Sequence, residues 1–216
     1  TFPCWLDGWK PWWTGWRIHP VCGTCRSACL VRAQGPPLPS WLPPDGPSGF
    51  APSSPVAGGP EPRDYAGDLA ALIDHLGLGE VCIVAQSMGG VVASRIAIDH
   101  PGLVRRLVLT VTSGGVDMAT MGASDWRADY RRLFPKAAEW VYAPRNAAPL
   151  PVERIAAPTL LLWGDNDPIS PVAVGRHLAR RIPNAELHVL ADGDHSLAQN
   201  RAAEVAPLIE KHLSAD

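Results

Sequence analysis

Apolar residues come in short continuous runs separated by polar, helix-forming stretches. Residues 81–85 (Val-Cys-Ile-Val-Ala), 107–111 (Leu-Val-Leu-Thr-Val), 159–163 (Thr-Leu-Leu-Leu-Trp) and 186–190 (Glu-Leu-His-Val-Leu) each have strand length. The first three are apolar almost throughout, as strands buried on both faces are. Between them the period lengthens. Residues 63–76 place Leu69, Leu72, Ile73 and Leu76 on one helical face, and 91–100 read as a helix stopped by Pro101 and Gly102. Residues 171–182 and 199–213 predict two more helices. Strands alternating with helices predict an α/β fold with a mostly parallel sheet covered by helices.

The first 60 residues lack this pattern. Tryptophan stands at 5, 9, 12, 13, 16 and 41, and cysteine at 4, 22, 25 and 29. Ten prolines between Pro36 and Pro62 remove the donors a central strand needs and exclude helix interiors. The expectation is an irregular segment over 1–60, weakly packed over 1–43, with at most a short strand near Ser40–Leu42. The strand–helix pattern occupies 61–216, interrupted by a lid-like insert at 113–157. There Trp126, Tyr130, Leu133, Phe134, Trp140 and Val141 predict either an aromatic face over a pocket or one ordinary crossover helix.

Three chemically notable residues follow strand-like runs. Run 81–85 leads into Gln86-Ser87-Met88-Gly89-Gly90 and then a helix, a strand–turn–helix with Ser87 at the apex. Such a turn lifts a hydroxyl clear of the sheet, and the helix behind it aims backbone N–H groups at developing negative charge. The pentapeptide Ala85-Gln86-Ser87-Met88-Gly89 carries alanine where the usual G-x-S-x-G has its first glycine. Run 159–163 leads into Gly164-Asp165-Asn166-Asp167-Pro168, and run 186–190 into Ala-Asp-Gly-Asp-His195-Ser. Parallel strands share one C-terminal edge, so Ser87, Asp167 and His195 can converge.

These motifs resemble the α/β-hydrolase family of the esterase and lipase type. The resemblance covers roughly residues 64–216. It rests on "DYAGDL" with "LGL", "AQSMGG", "RRLVLT", "APTLLLWGDNDPISP" and "ADGDHSL", with a fainter echo in "PDGPSGF" (44–50). It implies an α/β-hydrolase fold and catalytic Ser87, Asp167 and His195. It also implies an oxyanion donor at the Met88 N–H; an asparagine or the Gln86 side chain is the expected substitute for the second donor. In the family a strand ending in His-Gly lies beside the nucleophile strand and leads to that second donor. No His-Gly precedes Ser87 here, so the sequence predicts an unpaired edge on strand 81–85, with the N-terminal strands missing or replaced. Replacement, truncation and a shifted reading frame all fit, the last best.

The resemblance implies cleavage of carboxylic esters through an acyl-enzyme. The same three residues serve carbon–carbon hydrolysis, lactone hydrolysis and perhydrolysis, and a catalytically silent or incomplete protein of the same fold is the alternative. Serine at 87 argues against dehalogenases and epoxide hydrolases, which use aspartate there. No cofactor is implied.

Charge and composition narrow the partners. The formal net charge of −2 implies no nucleic-acid partner, and no apolar run suits a membrane span. A small-molecule ester is the expected partner. The chain starts without methionine or a leader-like segment, which suggests a fragment or processed start. The expected compartment is the cytoplasm. Cys22 and Cys25 have half of a zinc-knuckle spacing, with Cys4, Cys29 and His19 nearby, but incidental thiols and no metal are the simpler expectation. Cys82 reads as a buried apolar residue. Asp165 is the rival acid and Asp117 a weaker one. Asp192 and Asp194 are expected to shape the histidine loop, His100 to end a helix, and His188 to sit exposed or satisfied on a strand.

Overall fold

A computed structural model of the protein describes residues 15–19, 28–32, 62–133 and 148–215. Six strands form one sheet: β1 (Gly15–His19), β2 (Ala28–Arg32), β3 (Val81–Gln86), β4 (Val104–Thr110), β5 (Thr159–Gly164) and β6 (Ala185–Leu190). They lie side by side in chain order. β1 runs antiparallel to β2, and all other pairs are parallel.

Every residue of β3 and β5 is buried, as the continuous apolar runs demand. β6 is an edge strand, and only Leu190 of its six residues is buried. Helix α1 (Pro62–His75) buries Tyr65, Ala66, Leu69 and Ile73 along one stripe. It ends where Gly77 takes a left-handed φ of 61°, letting the Leu78 N–H reach the Ile73 carbonyl at 3.2 Å. α2 (Met88–Asp99) packs on β2, β3 and β4. α3 (Arg127–Leu133) lies in the insert, and α4 (Val172–Arg181) packs on β5 and β6. α5 (Leu197–Asn200) and α6 (Ala202–Ser214) replace the single expected helix 199–213, with a break at Arg201; α6 packs on β4 and β5. The parallel strands β2 to β6 bring their C-terminal ends to one edge of the sheet.

Three expectations need correction. Segment 1–43 contributes strands: β2 pairs with β3 from Ala28↔Cys82 to Arg32↔Gln86, so the nucleophile strand has neighbours on both sides. The apolar period there is too short and too interrupted to register as a strand, yet five residues suffice to pair. The 81–86 edge is therefore not open. Cys82 is fully buried but disulfide-bonded, not a simple thiol. The strand suggested near Ser40–Leu42 and the side chains of Cys4, Cys22, Cys25 and Cys29 lie outside the described residues.

In the insert, Trp126 and Tyr130 meet edge to face with centroids 5.5 Å apart and planes at 87°. Tyr130 is buried against the core. The Ser124 N–H and hydroxyl both donate to the Pro168 carbonyl, at 2.8 and 2.9 Å, tying the insert to the loop after β5. The expected contributions of Leu133, Phe134, Trp140 and Val141 lie outside the described side chains. Among the described residues, no helix is long and apolar enough to cross a membrane.

Candidate active site

β3 delivers Ser87 to the C-terminal edge of the sheet. Its N–H donates to the Thr110 carbonyl of β4 at 3.0 Å, so it still belongs to the ladder. Its φ of 53° and ψ of −125° then turn the chain sharply into α2, whose first residue is Met88. A non-glycine residue rarely adopts positive φ, and such strain persists only where its surroundings enforce it. The Met88 N–H is one of the first N–H groups of α2, which have no acceptor within the helix.

Ser87, His195 and Asp167 meet as the sequence predicts. Ser87 Oγ lies 2.9 Å from His195 Nε2, and His195 Nδ1 lies 2.8 Å from Asp167 Oδ2. The Asp167 side chain is wholly buried, and that of His195 keeps 17% exposure. The other carboxylate oxygen, Asp167 Oδ1, accepts the N–H groups of Ile169 and Ser170 at 2.8 and 3.1 Å. Its two oxygens thus have separate tasks: one anchors the loop, the other faces the imidazole. A hydroxyl on an imidazole whose far nitrogen holds a carboxylate can lose its proton as it attacks a carbonyl carbon.

The rival residues have structural partners. Asp165 Oδ1 accepts the Asp192 N–H at 2.6 Å, pinning the acid loop to the histidine loop. Asp192 itself has a φ of 56°. Asp194 Oδ1 accepts the Ser196 N–H at 2.8 Å and so shapes the histidine loop. Asp117 accepts the Ala119 N–H at 2.9 Å within its own turn. His100 caps α2, and His188 bonds Glu186 at 2.8 Å on an exposed face.

Gln86 is where the reading of the site changes. Its side-chain amide donates to the His195 carbonyl at 2.9 Å, so it braces the histidine loop. Residue order placed Gln86 beside the serine but could not say where its side chain pointed. Two polar residues went unnoticed. Thr112 donates its hydroxyl to the Ser87 carbonyl, and Ser170 donates its hydroxyl to the Thr112 carbonyl at 3.2 Å. A lone Thr or Ser after a strand carries no distinguishing signal in the sequence.

A sequence model of the alpha/beta hydrolase fold matches residues 47–154 and 137–199, well over half of the chain. The protein belongs to the α/β-hydrolase family. It is 31% identical over 183 residues to a poly(3-hydroxyalkanoate) depolymerase of Ectopseudomonas oleovorans, covering 67% of this chain and 64% of that one. It is 28% identical over 211 residues to a 2-hydroxy-6-oxononadienedioate/2-hydroxy-6-oxononatrienedioate hydrolase of a Pseudomonas species, covering 77% of this chain and 74% of that one. The chain thus spans just under two thirds of the depolymerase's length. Its fold matches that of a thermophilic esterase from Thermogutta terrifontis with a TM-score of 0.64 at 20% identity, covering 93% of this chain and 98% of the other.

Proposed function

We propose that this hydrolase cleaves carboxylic esters of small molecules, with Ser87 as nucleophile, His195 as general base and Asp167 as its orienting acid. The observation that carries the proposal is the continuous Ser87–His195–Asp167 contact, at 2.9 and 2.8 Å, across the ends of three different strands. His195 takes the serine proton as Oγ attacks the acyl carbon, then passes it to the departing alcohol. Asp167 holds the tautomer that leaves Nε2 free to accept. Water then enters, is deprotonated by His195, and releases the acid from the acyl-enzyme.

The developing oxyanion needs donors, and loss of one typically costs about 10²–10³ in turnover. The Met88 N–H is the first proposed donor. The last described residue of β2, Arg32, is the register partner of Gln86, one position short of the serine on β3. β2 stands where the family resemblance puts the strand that leads to the second donor. A relative named as a poly(3-hydroxyalkanoate) depolymerase supports the ester reading. An assembled serine, imidazole and carboxylate also supports an active enzyme over a silent one.

The test is a chain-length series of aryl esters. Esters with about two to six acyl carbons should turn over without interfacial activation, since the insert described is short. A preference for long-chain emulsified triglycerides, or no turnover of any ester, would refute the assignment.

A further inference from the structure

The strained turn at Ser87 and the buried loop at Asp167 are joined by more than the imidazole between them. Thr112, directly after β4, is 1% exposed. Its hydroxyl donates to the Ser87 carbonyl and accepts the Gly114 N–H at 3.0 Å, so both of its roles are filled. Its backbone carbonyl accepts the Ser170 hydroxyl at 3.2 Å. Ser170, also 1% exposed, gives its N–H to Asp167 Oδ1 at 3.1 Å. The fully buried Trp163 ring donates to the Ser170 carbonyl at 3.0 Å and lies 3.2 Å from its hydroxyl.

We infer that Thr112 and Ser170 are positioning residues for the reaction, forming a buried strap that fixes the Ser87 turn and the Asp167 loop relative to one another. The inference rests on the serine-nucleophile reading above.

Two features show that the strap is built into the backbone. A Cβ on Gly90 would stand 2.5 Å from Thr112 Oγ1 and 2.6 Å from its Cβ, so only glycine at 90 lets the hydroxyl reach the Ser87 carbonyl. Val111, immediately before Thr112, holds a φ of 39°, a costly conformation for a β-branched residue. Its N–H is tied to the Leu162 carbonyl at 3.1 Å. The strained Val111 and the side-chain-free Gly90 together present Thr112 to the equally strained Ser87.

The contact works through Ser87 rather than through substrate. Holding the Ser87 carbonyl resists relaxation of its positive φ, which would swing Oγ away from His195. Holding Ser170 keeps the Asp167 carboxylate pointed at the imidazole. Misplacement of a reacting group by about 1 Å can cost on the order of 10²-fold in rate.

The experiment measures the rate at which a fluorophosphonate inactivates the full chain, together with kcat and KM on a short aryl ester. Thr112→Val keeps the shape but removes the hydroxyl. It should slow inactivation and lower kcat by about 10- to 100-fold, with KM within about twofold. Thr112→Ser should recover most of that loss. Ser170→Ala leaves the Ser87 turn untouched, so it keeps the inference testable should Thr112→Val fold poorly. It should slow inactivation by about 3- to 10-fold, and the double variant should lose less than the product of the two. Inactivation of Thr112→Val and Ser170→Ala within twofold of wild type would overturn the strap, as would equal losses in Thr112→Val and Thr112→Ser. Failure of the wild type to be modified at Ser87 is a separate outcome: it removes the serine reading, and the strap with it.

Discussion

Gly164 and Gly193 lie backbone to backbone. A Cβ on Gly193 would stand 2.8 Å from the Gly164 Cα, and one on Gly164 would run into the Gly193 carbonyl. The Asn166 N–H donates to the Gly193 carbonyl at 2.9 Å and the Asp165 N–H to the Leu190 carbonyl at 3.2 Å. The loops bearing Asp167 and His195 therefore leave their strands in direct contact, which sets the reach of the carboxylate to the imidazole.

Gly164→Ala should consequently separate the two loops. Backbone cannot yield as a flexible side chain can, so overpacking should cost about 1–3 kcal/mol and reduce ester turnover by about 10²-fold. Denaturant unfolding and steady-state kinetics on the same preparation check this. Unchanged stability and turnover would contradict the packing described.

The two aspartates of the acid loop should behave differently. Asp167→Asn puts an amide against His195 Nδ1 and favours the wrong tautomer, so turnover should fall by about 10⁴-fold. Asp165→Asn retains an oxygen able to accept the Asp192 N–H, so its loss should stay within about tenfold. Parallel kinetics of the two variants decide the assignment, and a larger loss at Asp165 would reverse it.

The strands and site residues differ in how openly the chain announces them. Runs 81–85 and 159–163 mark β3 and β5 to within a residue, because strands buried on both faces leave no polar positions to blur the signal. β1 and β2 escape notice because each is only five residues long, with Arg17 inside one and Arg32 ending the other, in a segment rich in Trp, Cys and Pro. Ser87, Asp167 and His195 are legible because each stands just past a strand. Gln86 and Asp165 are legible only in part: spacing places them near the site, while side-chain direction decides that both brace loops. Thr112 and Ser170 are silent in sequence, since nothing local distinguishes them from the other hydroxyl residues of loops.

Ser94 on α2 is fully buried, and its hydroxyl finds no hydrogen-bond partner among the described residues. An unpartnered buried hydroxyl carries a desolvation cost without compensation. Ser94→Ala should thus be neutral or stabilising by up to about 1 kcal/mol, read from the urea midpoint at unchanged m-value. A clear destabilisation would mean that the hydroxyl has a partner after all.

His212 on α6 lies 3.2 Å from the Pro158 carbonyl, at the lower end of β5. Burial, helped by the nearby Arg106 charge, holds its pKa below the usual histidine value of 6.5. The unfolded chain then binds this proton more readily than the fold does. His212 is compatible with full stability above about pH 6.5, and that contribution is lost as pH falls below the unfolded value toward the folded one. His212→Gln should narrow the stability difference between pH 8 and pH 5 in urea titrations. An unchanged or wider difference would show that His212 does not titrate as described.

The central claim is that Ser87 is the nucleophile. Intact-mass measurement and peptide mapping after fluorophosphonate treatment test it most directly. The account predicts one adduct per chain, located on Ser87, and none in Ser87→Ala. An adduct on another residue, or one that persists in Ser87→Ala, would contradict it.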